Sequence, residues 1–340
     1  MVTPAEVQLE DLLSAPSDKD VEEIGSLDGP LLILGAAGKM GPSLVRRARR
    51  ALDAAGNATP VIAVSRFSDP NSRALLESWG IQTIACELLE PGALDKLPDA
   101  PNVVFMAARK FGSTGNPSLT WAINTFLPGL VGRRYRHSRI ATFSSGNVYP
   151  LVPIESGGAT EQTPPDPIGE YAQSVLGRER MFEQAALDYG TRVSILRLNY
   201  AVEPRYGVLA DIGRKVFDGR PVDLTMGHVN VLWQGDANSI TLRSLLHAAA
   251  PPWILNLTGP ETLLVRDIAQ AFARHFGKPA QFTGQEAPTA LLNNAARCRD
   301  LFGPPSLSVS DLIAMIAHWI SEGGRSLNKP THFEQRQGKF

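Results

Sequence analysis

The segment Gly35-Ala36-Ala37-Gly38-Lys39-Met40-Gly41 follows directly on the apolar run Leu31-Leu32-Ile33-Leu34. Glycines at this spacing permit a tight turn, let the backbone approach a pyrophosphate, and let a following helix pack closely on the strand. The N–H groups that open such a helix, reinforced by its dipole, suit phosphate charge. Strand, glycine turn and helix in that order predict a dinucleotide site lined by Gly35, Gly38, Lys39, Met40 and Gly41. A second strand, Val61–Val64, runs into Ser65-Arg66. An acid there would bond the adenosine ribose and repel a 2′-phosphate, whereas a hydroxyl and a guanidinium suit that phosphate, so NADP is favoured over NAD. The other reading leaves Arg66 as a solvated loop residue, with Asp69 or another acid on the ribose.

These residues need a scaffold, and the hydrophobic pattern supplies one. Short apolar runs at Leu31–Leu34, Val61–Val64, Ile81–Ala85, Val103–Met106, Arg139–Phe143 and Val193–Leu198 read as buried parallel strands. Helix-compatible stretches separate them, at Lys39–Ala54 and near 70–79, 116–135 and 168–189. Strands alternating with helices predict an α/β fold, a Rossmann-type doubly wound parallel sheet. Beyond residue 200 prolines interrupt the alternation. Val229–Trp233 and Ile254–Leu257 read there as isolated strands, and 236–248, 264–276 and 309–321 as helices. The expected organisation is an acidic extension (1–28), a dinucleotide-binding domain (29–200), a smaller substrate lobe (201–325) with strands returning to the sheet, and a polar, peripheral tail (326–340). Val7, Leu9, Leu12 and Leu13 could give the extension a docking face; otherwise it is a partly ordered arm. Arg46, Arg47, Arg49 and Arg50 are expected to face solvent.

Composition narrows the function. With 43% hydrophobic residues and a formal net charge of -1, the chain has no basic field for nucleic acid. Cys86 and Cys298 are the only cysteines, which excludes a disulfide framework and fits a reducing cytoplasm. No apolar run approaches the ~20 residues of a membrane span, and the acidic start is unlike a signal peptide. The six histidines show no paired metal spacing, so no metal site is expected.

The G-x-x-G-x-x-G spacing, the stretch Ser144-Ser145-Gly146-Asn147-Val148-Tyr149 after a later strand, and Tyr171 in a following helix occur in an informative order. Over residues 30–322 the chain resembles the extended short-chain dehydrogenase/reductase family, the NAD(P)-dependent epimerases and dehydratases typified by UDP-galactose epimerase. The resemblance implies that Ser145 hydrogen-bonds the reacting oxygen of the substrate. It makes Tyr171 the acid/base that passes a proton while the nicotinamide passes hydride. It places Ala107, Ala108 and Lys110 along the cofactor, Glu87 and Leu88 near the adenine, and Asn124 and Asn199 beside the dinucleotide. Asn147 and Tyr200 would border the substrate. A homodimer through the segments near 116–135 and 168–189 is also implied.

One position departs from the pattern. The family carries Tyr-x-x-x-Lys, whereas this chain reads Tyr171-Ala172-Gln173-Ser174-Val175. A lysine four residues along would share the helix face of the tyrosine, favour its phenolate and hold the nicotinamide ribose. Valine does neither, and an ordinary phenol stays protonated until about pH 10. Three readings follow. Another cation substitutes, Lys110 first, then Arg109 or Arg178; or Tyr171 acts as a neutral hydrogen-bond donor; or the protein binds dinucleotide as a sensor or scaffold without turnover.

The second lobe bears on substrate. Relatives that act on nucleotide sugars carry an arginine beside the strand leading into that lobe, but Leu224–Val231 has no basic residue adjoining His228. A smaller hydroxyl or carbonyl substrate is therefore expected. Arg205 and Arg214 lie upstream, and Arg205 and His228 are candidate substrate contacts. His228 is either a proton carrier or a hydrogen-bonded loop histidine. The stretch Gly112–Asn116 is either a flap over the cofactor or a flexible loop.

Overall fold

Parallel strands covered on both faces must be apolar throughout, and the runs read from the sequence take that form. The computed structural model describes residues 3–110, 112–113 and 115–339. Its central strands are β1 (Leu31–Leu34), β2 (Val61–Ser65), β3 (Gln82–Ala85), β4 (Asn102–Phe105), β5 (Arg139–Ser145), β6 (Arg192–Leu198) and β7 (Trp253–Leu257). They form one sheet in the order β3-β2-β1-β4-β5-β6-β7. Leu31 of β1 pairs in parallel register with Val61 on one side and Asn102 on the other. The chain winds outward from β1 to β3 and then restarts at β4 in the other direction. The switch point, where such folds take their ligands, therefore lies between β1 and β4. The run Ile254–Leu257, read as isolated, is the edge strand β7.

The helices are α1 (Pro4–Leu13), α2 (Asp18–Gly25), α3 (Gly41–Ala54), α4 (Pro70–Ser78), α5 (Pro117–Trp121), α6 (Leu127–Arg134), α7 (Gly169–Tyr189), α8 (Val208–Phe217), α9 (Gln234–Arg243), α10 (Val265–Phe276), α11 (Ala296–Phe302) and α12 (Val309–Ser321). A π-helical turn, Ala122–Phe126, joins α5 to α6. The residues fall into two compact units. One holds the chain up to 144, with 174–196 and 238–254; the other holds 145–173, 197–237 and 255 onward.

In the first unit, strand residues such as Leu32, Val64, Val103, Phe105 and Ile140 pack with Leu127, Val131, Tyr135 and Phe182 from the helices. The N-terminal extension is helical and docked. Leu9 and Leu13, one turn apart, are buried, while Val7 and Leu12 face solvent. The arginines of α3, expected in solvent, answer its acids. Arg47 is buried and donates through Nε and Nη2 to Asp20, at 2.9 and 2.5 Å. Arg46 pairs with Asp11 at 2.6 Å, and Arg243 with Glu23 at 2.7 Å. The carboxylates neutralise cations that the unit would otherwise have to keep wet.

In the second unit α8, α10 and α12 carry buried apolar faces. The run Val229–Trp233 is two short pairings. His228–Val229 pairs antiparallel with Leu263–Leu264, and Leu232–Trp233 parallel with Ala201–Val202. Asn230 divides them: its amide donates to the Glu261 carbonyl and accepts from the Asn293 N–H, each at 2.9 Å. The C-terminal tail is not peripheral, since Thr331 and Phe333 are buried.

Candidate functional site

At the switch point the three glycines serve different ends. Gly35 has a left-handed backbone, φ +94, and a Cβ there would stand 2.5 Å from the Ala107 nitrogen on the loop after β4. Gly41 is packed on the Ala36 carbonyl, which a Cβ would overrun. Both glycines are demanded by the fold. Gly38 is not: it is exposed, and a Cβ on it would meet only the Gly35 carbonyl oxygen, at 3.4 Å. Among the described residues no side chain hydrogen-bonds the first turn of α3 as a cap. A group that comes close to Gly38 and accepts from that turn accounts for both features, and a pyrophosphate is such a group. Lys39 beside it is half-buried and Met40 buried. Gly38→Ala is therefore expected to keep the melting temperature and to weaken dinucleotide binding about tenfold or more; calorimetry against a melting curve checks both.

Ser65 closes β2, and Arg66, 68% exposed, lies 3.6 Å from the Glu87 carboxylate. Glu87 also accepts from the Leu89 N–H at 3.3 Å, while Leu88 belongs to the hydrophobic core. The loop after β4 carries Ala107, exposed Ala108, and half-buried Arg109 and Lys110. Asn124, fully buried in the π turn, fixes this loop. Its Oδ1 accepts from the Arg109 N–H and its Nδ2 donates to the Arg109 carbonyl, both at 2.9 Å. Nδ2 also donates to Ser174 Oγ of α7 at 3.0 Å. Asn124, read from the resemblance as a cofactor neighbour, thus acts as the brace of the loop that includes Lys110. Phe111 and Thr114, in and beside the glycine-serine stretch, lie outside the described residues.

Arg178 is 2% exposed. Its guanidinium donates to the carbonyls of Phe143 (2.7 Å), Ala107 (3.0 Å) and Asn124 (3.3 Å), and to Asn124 Oδ1 (3.1 Å). It joins the end of β5, the loop after β4 and the π turn. Sequence reasoning offered it as a substitute cation; the structure makes it a clasp. No local signal marks it, because its partners are backbone carbonyls of three separate segments. Val175, four residues after Tyr171 on α7, is 1% exposed.

In the second unit, Ser145 ends β5 nearly buried, and its Oγ accepts from the Asn147 N–H at 3.2 Å. Asn147 itself is half-buried. The turn is pinned by Tyr149, whose hydroxyl donates to Asn256 Oδ1 at 2.8 Å and accepts from Arg197 at 2.7 Å. Gly146 fits against Asn199 and Asn293, where a Cβ would come 2.8 Å from the Asn293 side-chain oxygen. Asn199 is buried and donates to the Leu291 carbonyl at 3.3 Å. Tyr171 is half-buried in the first turn of α7. Tyr200 has a left-handed backbone, φ +50. Burial, then the charge of Glu334, raises its phenol's pKa. Tyr206, which sequence reasoning passed over, is raised in the same way, first by burial and then by Asp211, Tyr171 and Tyr200.

The remaining candidates divide. Arg205 is buried and donates from Nε to both oxygens of Glu203 at 3.1 Å, so its charge is answered within the protein. His228 is half-buried, and its Nδ1 is enclosed with no hydrogen-bond partner among the described residues.

A doubly wound sheet with a strand, glycine turn and helix at its switch point defines a dinucleotide-binding α/β protein. The chain belongs to the NAD dependent epimerase/dehydratase family, whose model matches residues 31–228. No curated protein matches it. Among solved structures it resembles the UDP-glucuronic acid 4-epimerase of Bacillus cereus bound to a fluorinated UDP-glucuronic acid and NAD, with a TM-score of 0.73 at 18% identity over 86% of this chain and 99% of that one. The dTDP-glucose 4,6-dehydratase of Streptomyces venezuelae, with NAD, gives 0.72 at 19% over 86% and 97%. The UDP-glucose 4-epimerase of Thermus thermophilus, also with NAD, gives 0.70 at 20% over 85% and 98%. No helix among the described residues is long and apolar enough to cross a membrane.

Proposed function

We propose that this chain is an NAD(P)-dependent epimerase, dehydratase or dehydrogenase acting on a small, sugar-like hydroxyl or carbonyl compound. The observation that carries the reading is Gly38, an exposed glycine that the packing does not demand, at the turn into α3. Gly35, Gly38, Lys39, Met40 and Gly41 would receive the pyrophosphate, Glu87 and Leu88 would lie by the adenine, and Ala107, Ala108, Lys110 and Asn199 would border the rest. When bound, the dinucleotide supplies hydride chemistry. Ser145 then holds the reacting oxygen, and Tyr171 gives or takes its proton. Lys110 provides the positive charge that Val175 cannot. Asn147, Tyr200 and His228 are the proposed substrate contacts. A screen of sugars, sugar acids and small alcohols with each nicotinamide coenzyme tests the reading. Saturable binding without turnover of any class would replace it with a sensor.

NADP over NAD is part of the same proposal. No acid stands at the end of β2, and among the described residues exposed Arg66 pairs with Glu87 at 3.6 Å, a contact that a 2′-phosphate can displace. Arg66→Ala is expected to weaken NADP about tenfold and leave NAD within twofold, as read by calorimetry. No loss for either would leave Arg66 a solvated loop residue, and equal losses would put it on a part common to both coenzymes.

A homodimer is proposed through the segments near 116–135 and 168–189. Within the first unit these expose Phe126 at 59% and Leu187 at 77%, large apolar side chains that favour cover. Light scattering should give a two-chain mass that Phe126→Asp reduces to one. A cytoplasmic location is in keeping with a chain whose two cysteines, Cys86 and Cys298, form no disulfide framework, and cell fractionation checks it.

A further inference from the structure

The C-terminal tail crosses the second unit along groups already named. Thr331 donates through its N–H and hydroxyl to Asp211 of α8, at 2.7 and 2.6 Å. Phe333 is buried beneath Lys215. Glu334 lies close enough to Tyr200 for its charge to act on the phenol. Gly338 presses on Ile168 and Gly169, so tightly that a Cβ on it would collide with the Ile168 carbonyl. Gly169 opens the helix that presents Tyr171 two residues later.

Between Glu334 and Gly338 stands Arg336. Its Nη1 donates to the Thr289 carbonyl at 2.7 Å, and more weakly toward the Thr225 carbonyl (3.4 Å) and Met226 sulfur (3.6 Å). Its Nη2 donates to Thr289 Oγ1 at 2.6 Å. Thr289 therefore takes the end of the guanidinium. The other edge, formed by Nε–H and the second hydrogen of Nη2, has no partner among the described residues. No carboxylate among them pairs with this half-buried cation, and burial alone lowers its pKa. Elsewhere in the chain that same edge grips a carboxylate: Nε and Nη2 of Arg47 hold Asp20, and those of Arg243 hold Glu23. A partly desolvated guanidinium, aligned by its far end and open along its strongest fork, is built for a planar or tetrahedral oxyanion.

We infer that Arg336 recognises an anionic group, carboxylate or phosphoryl, carried by the substrate. The tail thereby supplies the cation that Leu224–Val231 lacks, two residues from His228 in its contact at Met226. The inference rests on the proposed function, since it takes the second unit as the substrate-binding half.

The test titrates the full chain, with and without NAD, against inorganic pyrophosphate, D-glucuronate and neutral D-glucose by calorimetry. Wild type is expected to bind at least one of the two anions, and which one it prefers tells phosphoryl from carboxylate. Arg336→Gln should weaken that anion about 10–100-fold while glucose and NAD are unaffected. Arg336→Lys keeps the charge and stem but not the fork, so it should recover only part of the affinity at an unchanged melting temperature. Equal anion affinity in wild type and both variants, or no anion binding by wild type, overturns the inference. Absence of NAD binding would instead defeat the dinucleotide reading, and the comparison of glucuronate across the three proteins would still stand.

Discussion

Replacing Tyr171 by phenylalanine is expected to lower turnover about 10²–10⁴-fold and to leave dinucleotide affinity within a factor of two. The magnitude is that of losing a general acid/base, and only the hydroxyl is removed. The companion substitution, Lys110→Ala, separates two ways of working without lysine at position 175. A cation near a phenol favours the phenolate and brings the alkaline limb of the oxidation rate below about pH 8; without one the limb lies toward pH ~10. Wild type is expected to show the lower limb and Lys110→Ala the higher, with kcat falling more than cofactor affinity. A limb near pH 10 in both proteins would make Tyr171 a neutral donor. A loss confined to affinity would make Lys110 a cofactor contact without a part in the proton transfer.

Arg178→Met is expected to cost about 3–5 kcal/mol in denaturant unfolding. The guanidinium serves carbonyls of Phe143, Ala107 and Asn124 inside the first unit, and a thioether leaves them unpaired. Because the clasp also holds the loop after β4, dinucleotide affinity should fall at temperatures where the variant is still folded. Arg178→Lys should recover only part of the stability, since an ammonium lacks the planar spread of donors that reaches three segments. Unchanged unfolding in Arg178→Met would show that water satisfies these carbonyls and that the clasp is incidental.

The sheet was readable because strands such as Leu31-Leu32-Ile33-Leu34, buried on both faces, announce themselves as apolar runs. Even the edge strand β7 showed as Ile254–Leu257, read as isolated although strands of that lobe were expected to return to the sheet. Helix α8 went unread. It begins after Gly207 and carries Gly213 in its middle, and glycine marks a turn as often as a helix. In the structure Gly213 is where Phe272 and Ile320 close in, a reason that exists only once α10 and α12 are in place. The acidic extension and the arginines of α3 looked like two solvated charge runs. Asp20 and Arg47 meet across 27 residues, and nothing local joins them. The site divides in the same way. The glycine turn, Ser145 and Tyr171 are sequence-local motifs, and each was visible. Asn124, Arg178 and Arg336 work through carbonyls and amides of distant segments, so only the folded chain shows what they do.

The dinucleotide turn is tested most directly by titrating the purified protein with NAD and with NADP in a calorimeter. Saturable heat, one dinucleotide per chain, is expected from at least one of them. Heat from neither coenzyme would contradict the dinucleotide reading.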